Sequence, residues 1–357
     1  MKKVTRKTTV LLALLMLGIT LSAVSNGAAL FTLIEPGSRA GSMGSAFVAQ
    51  ADDGFATWWN PGAMAFNRKS QFALTHSNWM KQAFDDLYYE YLSFNKFVPE
   101  IGNLGANVIF MSYGEQDEID DQGTFQGTFM SYEIALGLNY ATQLSSSWGV
   151  GTNFKIIYSD LAPAIAWTGT QVEERGLSVS YAFDIAAKKK GLNFLPTKNL
   201  LDDIDFGFNL QNVGPNMTYI NNDQSDPLSM NLRTGFSYRA LYSKYSKLTF
   251  NFDANKELEN SDFVLLRIFT AMFDDPMQDE LESIILNVGG EYEYLSLLAL
   301  RGGYFYDYAG KVFGPTFGAG FKYDFNDMYK ITADIGMTQI GLIQENYNIT
   351  YSMGFEF

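Results

Sequence analysis

Few residues in this 357-residue chain suit acid–base or nucleophilic chemistry, and their neighbours limit what they could do. There is no cysteine and a single histidine, His76 in FALTHSNWM. Without cysteine there are no disulfides, thiolate metal sites or thiol nucleophiles. A catalytic triad needs a nucleophile and an orienting acid around its histidine, yet the adjacent hydroxyl, Ser77, points to the opposite face of a strand. His76 therefore reads as a hydrogen-bonded wall residue, although a lipid A deacylase of barrel type would need such a group. Two acidic clusters, EQDEIDD (115–121) and DDPMQDELE (274–282), offer oxygen ligands of the kind Ca²⁺ takes. Neither has the ligand order or central Gly of an EF-hand, so both read as solvated faces of surface loops. No enzyme activity, metal or cofactor is predicted. The apolar run FVLLRIFTAMF (263–273) before the second cluster reads as a loop helix, packed on the mouth of a barrel or against a partner.

Residues 28–69 carry a different pattern, IEPGSRAGSMGSAFVAQADDGFATWWNPGAMA at its centre. The spacing of Gly37, Gly41 and Gly44 is neither a dinucleotide fingerprint nor a P-loop, since no GK[ST] follows. These glycines read as turns where the backbone runs close to a wall. Asn60-Pro61-Gly62 is a strong turn signal, and Ala51 to Trp59 a short helical stretch leading into it.

The elements that position these residues follow from composition and period. Lys2, Lys3, Arg6 and Lys7 precede an apolar run from Val10 to Leu21 and then small residues. This reads as a secretory leader, residues 1–27, cleaved near Gly27 or Ala28 and too short in its apolar run to span a bilayer. Its loss leaves 21 basic against 39 acidic residues, a net charge of −18. That charge argues against nucleic acid, whose binding rests on neutralising phosphates. No other segment is apolar enough for a spanning helix, so membrane insertion would require a closed β-barrel, in which every backbone polar group is paired.

Alternation with period 2 recurs along residues 70–357. It is clean at 130–142, 147–158, 176–187, 203–213, 229–240, 246–256, 313–325, 329–338 and 347–357, and weaker at 70–79, 87–97, 101–113, 284–294 and 297–307. These fourteen segments are too long for sandwich strands, and aromatics cluster at their ends. Connections alternate between short turns, as at Ser145 to Ser147 or Leu295 to Ser296, and long loops at 114–129, 159–175, 214–228 and 257–283. The turn at 188–202 is the exception, long on the short side. The reading is an all-β, 14-stranded antiparallel transmembrane β-barrel in the outer membrane, its apolar face toward lipid and both termini periplasmic. Lys155, Asp184, Arg233, Asp253, Glu291, Arg301 and Asp334 then face the lumen, which is either salt-bridged and plugged or an ion or solute path.

Residues 34–65 resemble the N-terminal signature of the PorV/PorQ family of type IX secretion outer-membrane proteins. That family is similar to the FadL-type transporters, 14-stranded barrels that begin with an N-terminal hatch bearing an Asn-Pro-Ala motif. Gly62 stands where that motif has Ala. The resemblance implies that residues 28–69 form a hatch, carried by Gly37, Arg39, Gly41, Met43, Gly44, Asp52, Asp53, Trp59, Asn60, Pro61 and Gly62. A PorV-like role implies a partner of the secretion channel that collects cargo by its C-terminal domain; a PorQ-like role implies a subunit of the surface attachment complex. The alternative is a FadL-like transporter of a small hydrophobic solute, which predicts an apolar lumenal pocket near the hatch. The closing strand places Tyr351, Met353, Phe355 and Phe357 on one face, and its terminal aromatic resembles the signal read by the barrel-assembly machinery.

Overall fold

A computed structural model describes residues 27–79, 81, 86–119, 122–165, 174–193, 199–219, 225–326, 328–339 and 347–357. The predicted leader, Gly27 apart, lies outside the described residues. Fourteen antiparallel strands close into a barrel. They are β1 Gln71–Asn78, β2 Tyr88–Val98, β3 Gly102–Ile119, β4 Phe125–Gln143, β5 Trp148–Ile165, β6 Glu174–Lys189 and β7 Ile204–Val213, then β8 Met230–Tyr242, β9 Ser246–Leu258, β10 Ile285–Tyr294, β11 Leu298–Asp307, β12 Val312–Phe325, β13 Tyr329–Gln339 and β14 Tyr347–Glu356. Each pairs with its chain neighbours, and β14 closes on β1 from Gln71↔Glu356 to Ser77↔Thr350. At the seam the backbones of Ser70 and Phe357 exchange two hydrogen bonds, of 2.8 and 2.9 Å. No edge is left unpaired there.

The alternation is that of a barrel in lipid. On β4, Leu136, Leu138 and Tyr140 are exposed on the outer face, while Glu133, Ala135, Asn139 and Ala141 between them are buried. Charges inside are paired, as burial requires: Lys155 meets Asp184 at 2.8 Å with both side chains almost fully enclosed.

Two expectations need correction. Among the described residues, 115–119 of the acidic cluster and 114–119, 125–129, 159–165 and 174–175 of the two expected loops are strand, because β3 with β4 and β5 with β6 run on past the apolar belt; residues 120, 121 and 166–173 lie outside the described residues. Glu115, Asp117 and Glu118 pair across the ladder with Met130, Thr128 and Gly127. Above the bilayer the outer face no longer has to be apolar, so period 2 fades while the backbone ladder continues. Gly114, at φ 76, sits at the register shift between Ser112 and Glu115 where this happens. The apolar segment 263–273 does form a helix, but it packs on the outside of the wall and not on the mouth.

The core lies in the lumen. Residues 28–66 run through it with a 3₁₀ turn at Leu30–Leu33, helix α1 Ser38–Gly41, helix α2 Ala56–Trp59 and a second 3₁₀ helix at Pro61–Phe66. Phe31, Met43, Phe47, Trp58, Trp59 and Met64 are fully buried there, against Tyr89, Tyr91, Ile109 and Ile157 of the inner wall. Pro61 opens the second 3₁₀ helix at its first position, where its missing N–H has no partner to lose.

Candidate functional site

The candidate site is the contact between this N-terminal segment and the wall. Four wall charges hold it, and one of them, Lys188 of β6, donates to the Gln50 carbonyl. Asp253 accepts hydrogen bonds from the backbone N–H groups of Phe47 and Val48, at 2.8 and 2.9 Å. Arg233 donates to the Ser45 carbonyl at 2.9 Å, pairs with Glu35, and lies 4.8 Å over the Trp59 ring. Glu291 receives Arg39 in a bidentate pair, 2.8 Å from Nε and 2.7 Å from Nη2. Arg301 reaches the same carboxylate at 2.6 Å and joins it to Asp334 at 2.7 Å.

Neutral groups complete the grip. Asn209 donates to the Trp58 and Trp59 carbonyls, Asn139 to that of Thr57, and Asn287 to that of Gly44. Asn60 bridges the segment to the wall, donating to the carbonyls of Val48 at 2.8 Å and Ala187 at 3.0 Å. Trp59 donates to the Pro36 carbonyl, folding the segment on itself.

Backbone meets backbone where the wall has glycine. A Cβ on Gly303 of β11 would fall 2.2 Å from the Met43 carbonyl carbon and 2.3 Å from the Gly44 nitrogen. Inward Gly151, Gly207, Gly289 and Gly336 have comparably close approaches to the backbone of Pro61, Val48, Met43 and Ser38, while Gly105 and Gly318 make room for the side chains of Met64 and Ser42. Gly44 itself, at φ 63, takes a turn that other residues rarely adopt. These wall glycines and asparagines are missing from the sequence reading, which weighed only the inward charges. The signal was available, since both recur at inward positions of the alternation.

Arg39 also pairs with Asp52 at 2.5 Å and Asp53 at 3.0 Å. The three line a pocket of about 60 Å³ with Lys322, Lys330, Thr332 and Asp334, room for a few water molecules. Burial works against the charge on Arg39, but Asp52, Glu291 and Asp53 outweigh it and raise its pKa well above the usual value. Burial likewise opposes ionisation of Asp52, yet Arg39, Lys322 and Lys188 hold it down at about 2. Asp53, where burial dominates, is raised. Asp52 is enclosed by the barrel but its side chain is half open to the pocket, and so remains an anion.

The other candidates do not assemble into a site. His76 Nδ1 lies 2.7 Å from Glu90 on the outer face, while Ser77 faces inward to Asn348. Asp274, Asp275 and Glu280 bring carboxylate oxygens within 4.8 Å of one another. Glu280 is already paired with Lys256, and three carboxylates fall short of the six to eight oxygens of a Ca²⁺ shell. Tyr351, Met353, Phe355 and Phe357 lie outward on β14, where Phe355 stacks on Tyr329 and Phe357 on Phe94.

The family described as type IX secretion system protein PorV matches residues 21–262, a span that takes in the lumenal segment and the first nine strands. The chain belongs to the PorV family. No curated protein matches the sequence significantly. Among solved structures, the Pseudomonas putida toluene transporter TodX is similar at 12% identity, over 90% of this chain and 98% of that one, with a TM-score of 0.54. The Ralstonia pickettii toluene transporter TbuX matches at 11%, over 91% and 99%, with a TM-score of 0.52. A Pseudomonas aeruginosa FadL homologue matches at 11%, over 90% and 97%, with a TM-score of 0.49. At such identities the likeness to TodX and TbuX shows the barrel fold alone. As a PorV-family barrel, this chain is an outer-membrane component of type IX secretion.

Proposed function

We propose that this barrel is a platform for type IX secretion, with a lumen kept shut by residues 28–69 acting as a fixed hatch. Cargo or partner subunits bind at its long-loop end, which faces outside, and are handed on there; both termini are periplasmic. The observation that carries this reading is the fit between hatch backbone and wall glycines on β5, β7, β10, β11 and β13. A segment registered to the wall on so many strands supports a closed lumen, which leaves the ends of the barrel as working surfaces. The pocket beside Arg39, lined by charged side chains, also suits a hydrophobic solute poorly.

The test is affinity purification from native membranes in mild detergent, followed by mass spectrometry of protein and lipid. Recovery of a much larger translocon barrel, or of secreted proteins through their C-terminal domains, is the expected result. Bound lipid with no protein partner would overturn it in favour of a FadL-like transporter of a small hydrophobic solute.

A further inference from the structure

The loop between β9 and β10 carries two helices, α3 Val264–Thr270 and α4 Met277–Glu282. They sit on the face of the wall that should meet lipid. Leu210, Met230, Leu232, Lys256 and Leu258 all have outward parity, yet Leu210, Met230 and Leu258 are buried. The contrast with the flanks is direct. Leu210 pairs in register with Ile185 of β6, which also points outward; Ile185 is 54% exposed and Leu210 only 6%. On the other side Leu286 of β10, paired with Ala254, is again exposed.

The cover is α3. Val264, Ile268 and Ala271, spaced i, i+4, i+7, turn inward onto the wall residues, and the buried Arg267 beside them donates to Asn216 in the loop after β7 and to the Asp262 carbonyl. The opposite face presents Leu265, Leu266 and Phe269, continued by Phe273 beyond the helix; the two phenylalanines are 71% and 76% exposed. Beneath α4, the outward cation Lys256 would be costly against acyl chains. Glu280 pairs with it and both are buried.

We propose that α3 and the turn to Phe273 lie in the bilayer leaflet on the long-loop side, so that acyl chains touch Leu265, Leu266, Phe269 and Phe273 in place of the wall beneath. Continuity selects lipid as the occupant: the apolar face of α3 lies on the same side of the wall as lipid-facing residues on both flanks, in register with Ile185 on β6 and just beyond the level of Leu286 on β10. A helix satisfies its own backbone hydrogen bonds and can therefore stand in for wall at this depth.

The absence of cysteine makes the test clean. Single-cysteine variants Phe269→Cys and Phe273→Cys would carry a polarity-sensitive fluorophore, with Ile185→Cys as lipid-facing reference and Ala309→Cys as water-facing reference. Each is checked for heat-modifiable migration, and Leu265→Cys replaces a variant that fails to fold. In nanodiscs containing nitroxide-labelled phospholipid, labels at 269 and 273 should be quenched at least half as strongly as at 185, and several-fold less by iodide than at 309. Quenching by iodide to the level of 309 overturns the proposal. So does protection from both quenchers, which would mean that protein covers the face.

Discussion

Arg39→Met should loosen the lumenal segment without opening the barrel. The side chain of Arg39 is 7% exposed and that of Glu291 2%, so their bidentate pair is hardly screened. Asp52, whose side chain is 54% exposed, contributes little to the loss. Removing one partner of a buried pair costs about 3–5 kcal/mol. The low end applies, because Glu291 keeps Arg301 at 2.6 Å. A loss of about 3 kcal/mol corresponds to a roughly hundredfold increase in local opening. Hydrogen exchange followed by mass spectrometry reads this directly: amides of residues 37–59 should exchange at least tenfold faster, while strand amides at 152–158 stay unchanged. If the change at 37–59 is under threefold, the Arg39–Glu291 pair does not hold the segment and the account of its docking fails.

Gly303→Ala should weaken the same contact by steric means, since its Cβ would fall 2.2 Å from the Met43 backbone; an overpacking cost of about 1–3 kcal/mol should appear as faster exchange at residues 40–48. The pH response follows from the two aspartates. Asp52 is depressed, so its contribution is present above the ordinary value of 3.8 and lost as pH falls through about 2; Asp53 is raised, so its protonation on mild acidification favours the docked state. Protection of residues 37–59 should hold or rise on going from neutral pH to about 4, then fall toward 2. Glu280→Gln leaves Lys256 unpaired on the outer wall and should release α4, seen as faster proteolysis within 263–282 with the barrel still heat-modifiable. His76→Ala should leave lipid A and secretion unchanged and cost at most about 1 kcal/mol, because its pair with Glu90 is exposed; altered lipid A would restore the enzyme reading.

Strand existence was legible because the bilayer imposes a strict period of 2 on any wall that crosses it. All fourteen segments read from that period are strands, and those crossing the belt end within a residue or two of their expected bounds. β3, β4 and β5 were underestimated at their outer ends for the complementary reason: once outside lipid, residues such as Glu115 and Asp117 answer only to backbone pairing, which has no side-chain signature. In the lumenal segment Arg39, Gly44 and Asn60 stood out by type and spacing. Their partners Glu291, Gly303 and Ala187 lie between 127 and 259 residues away in the chain, and nothing local points to them.

By itself the sequence therefore determined compartment, strand count and which face of each strand is apolar, because those depend on one environment acting on every second residue. Only the tertiary structure decided that the lumen is filled, which wall charges grip the filling, and that residues 263–282 lie on the outside of the barrel. Each of those depends on how distant strands close around a common axis, and closure brings together residues whose separation along the chain carries no trace of their contact.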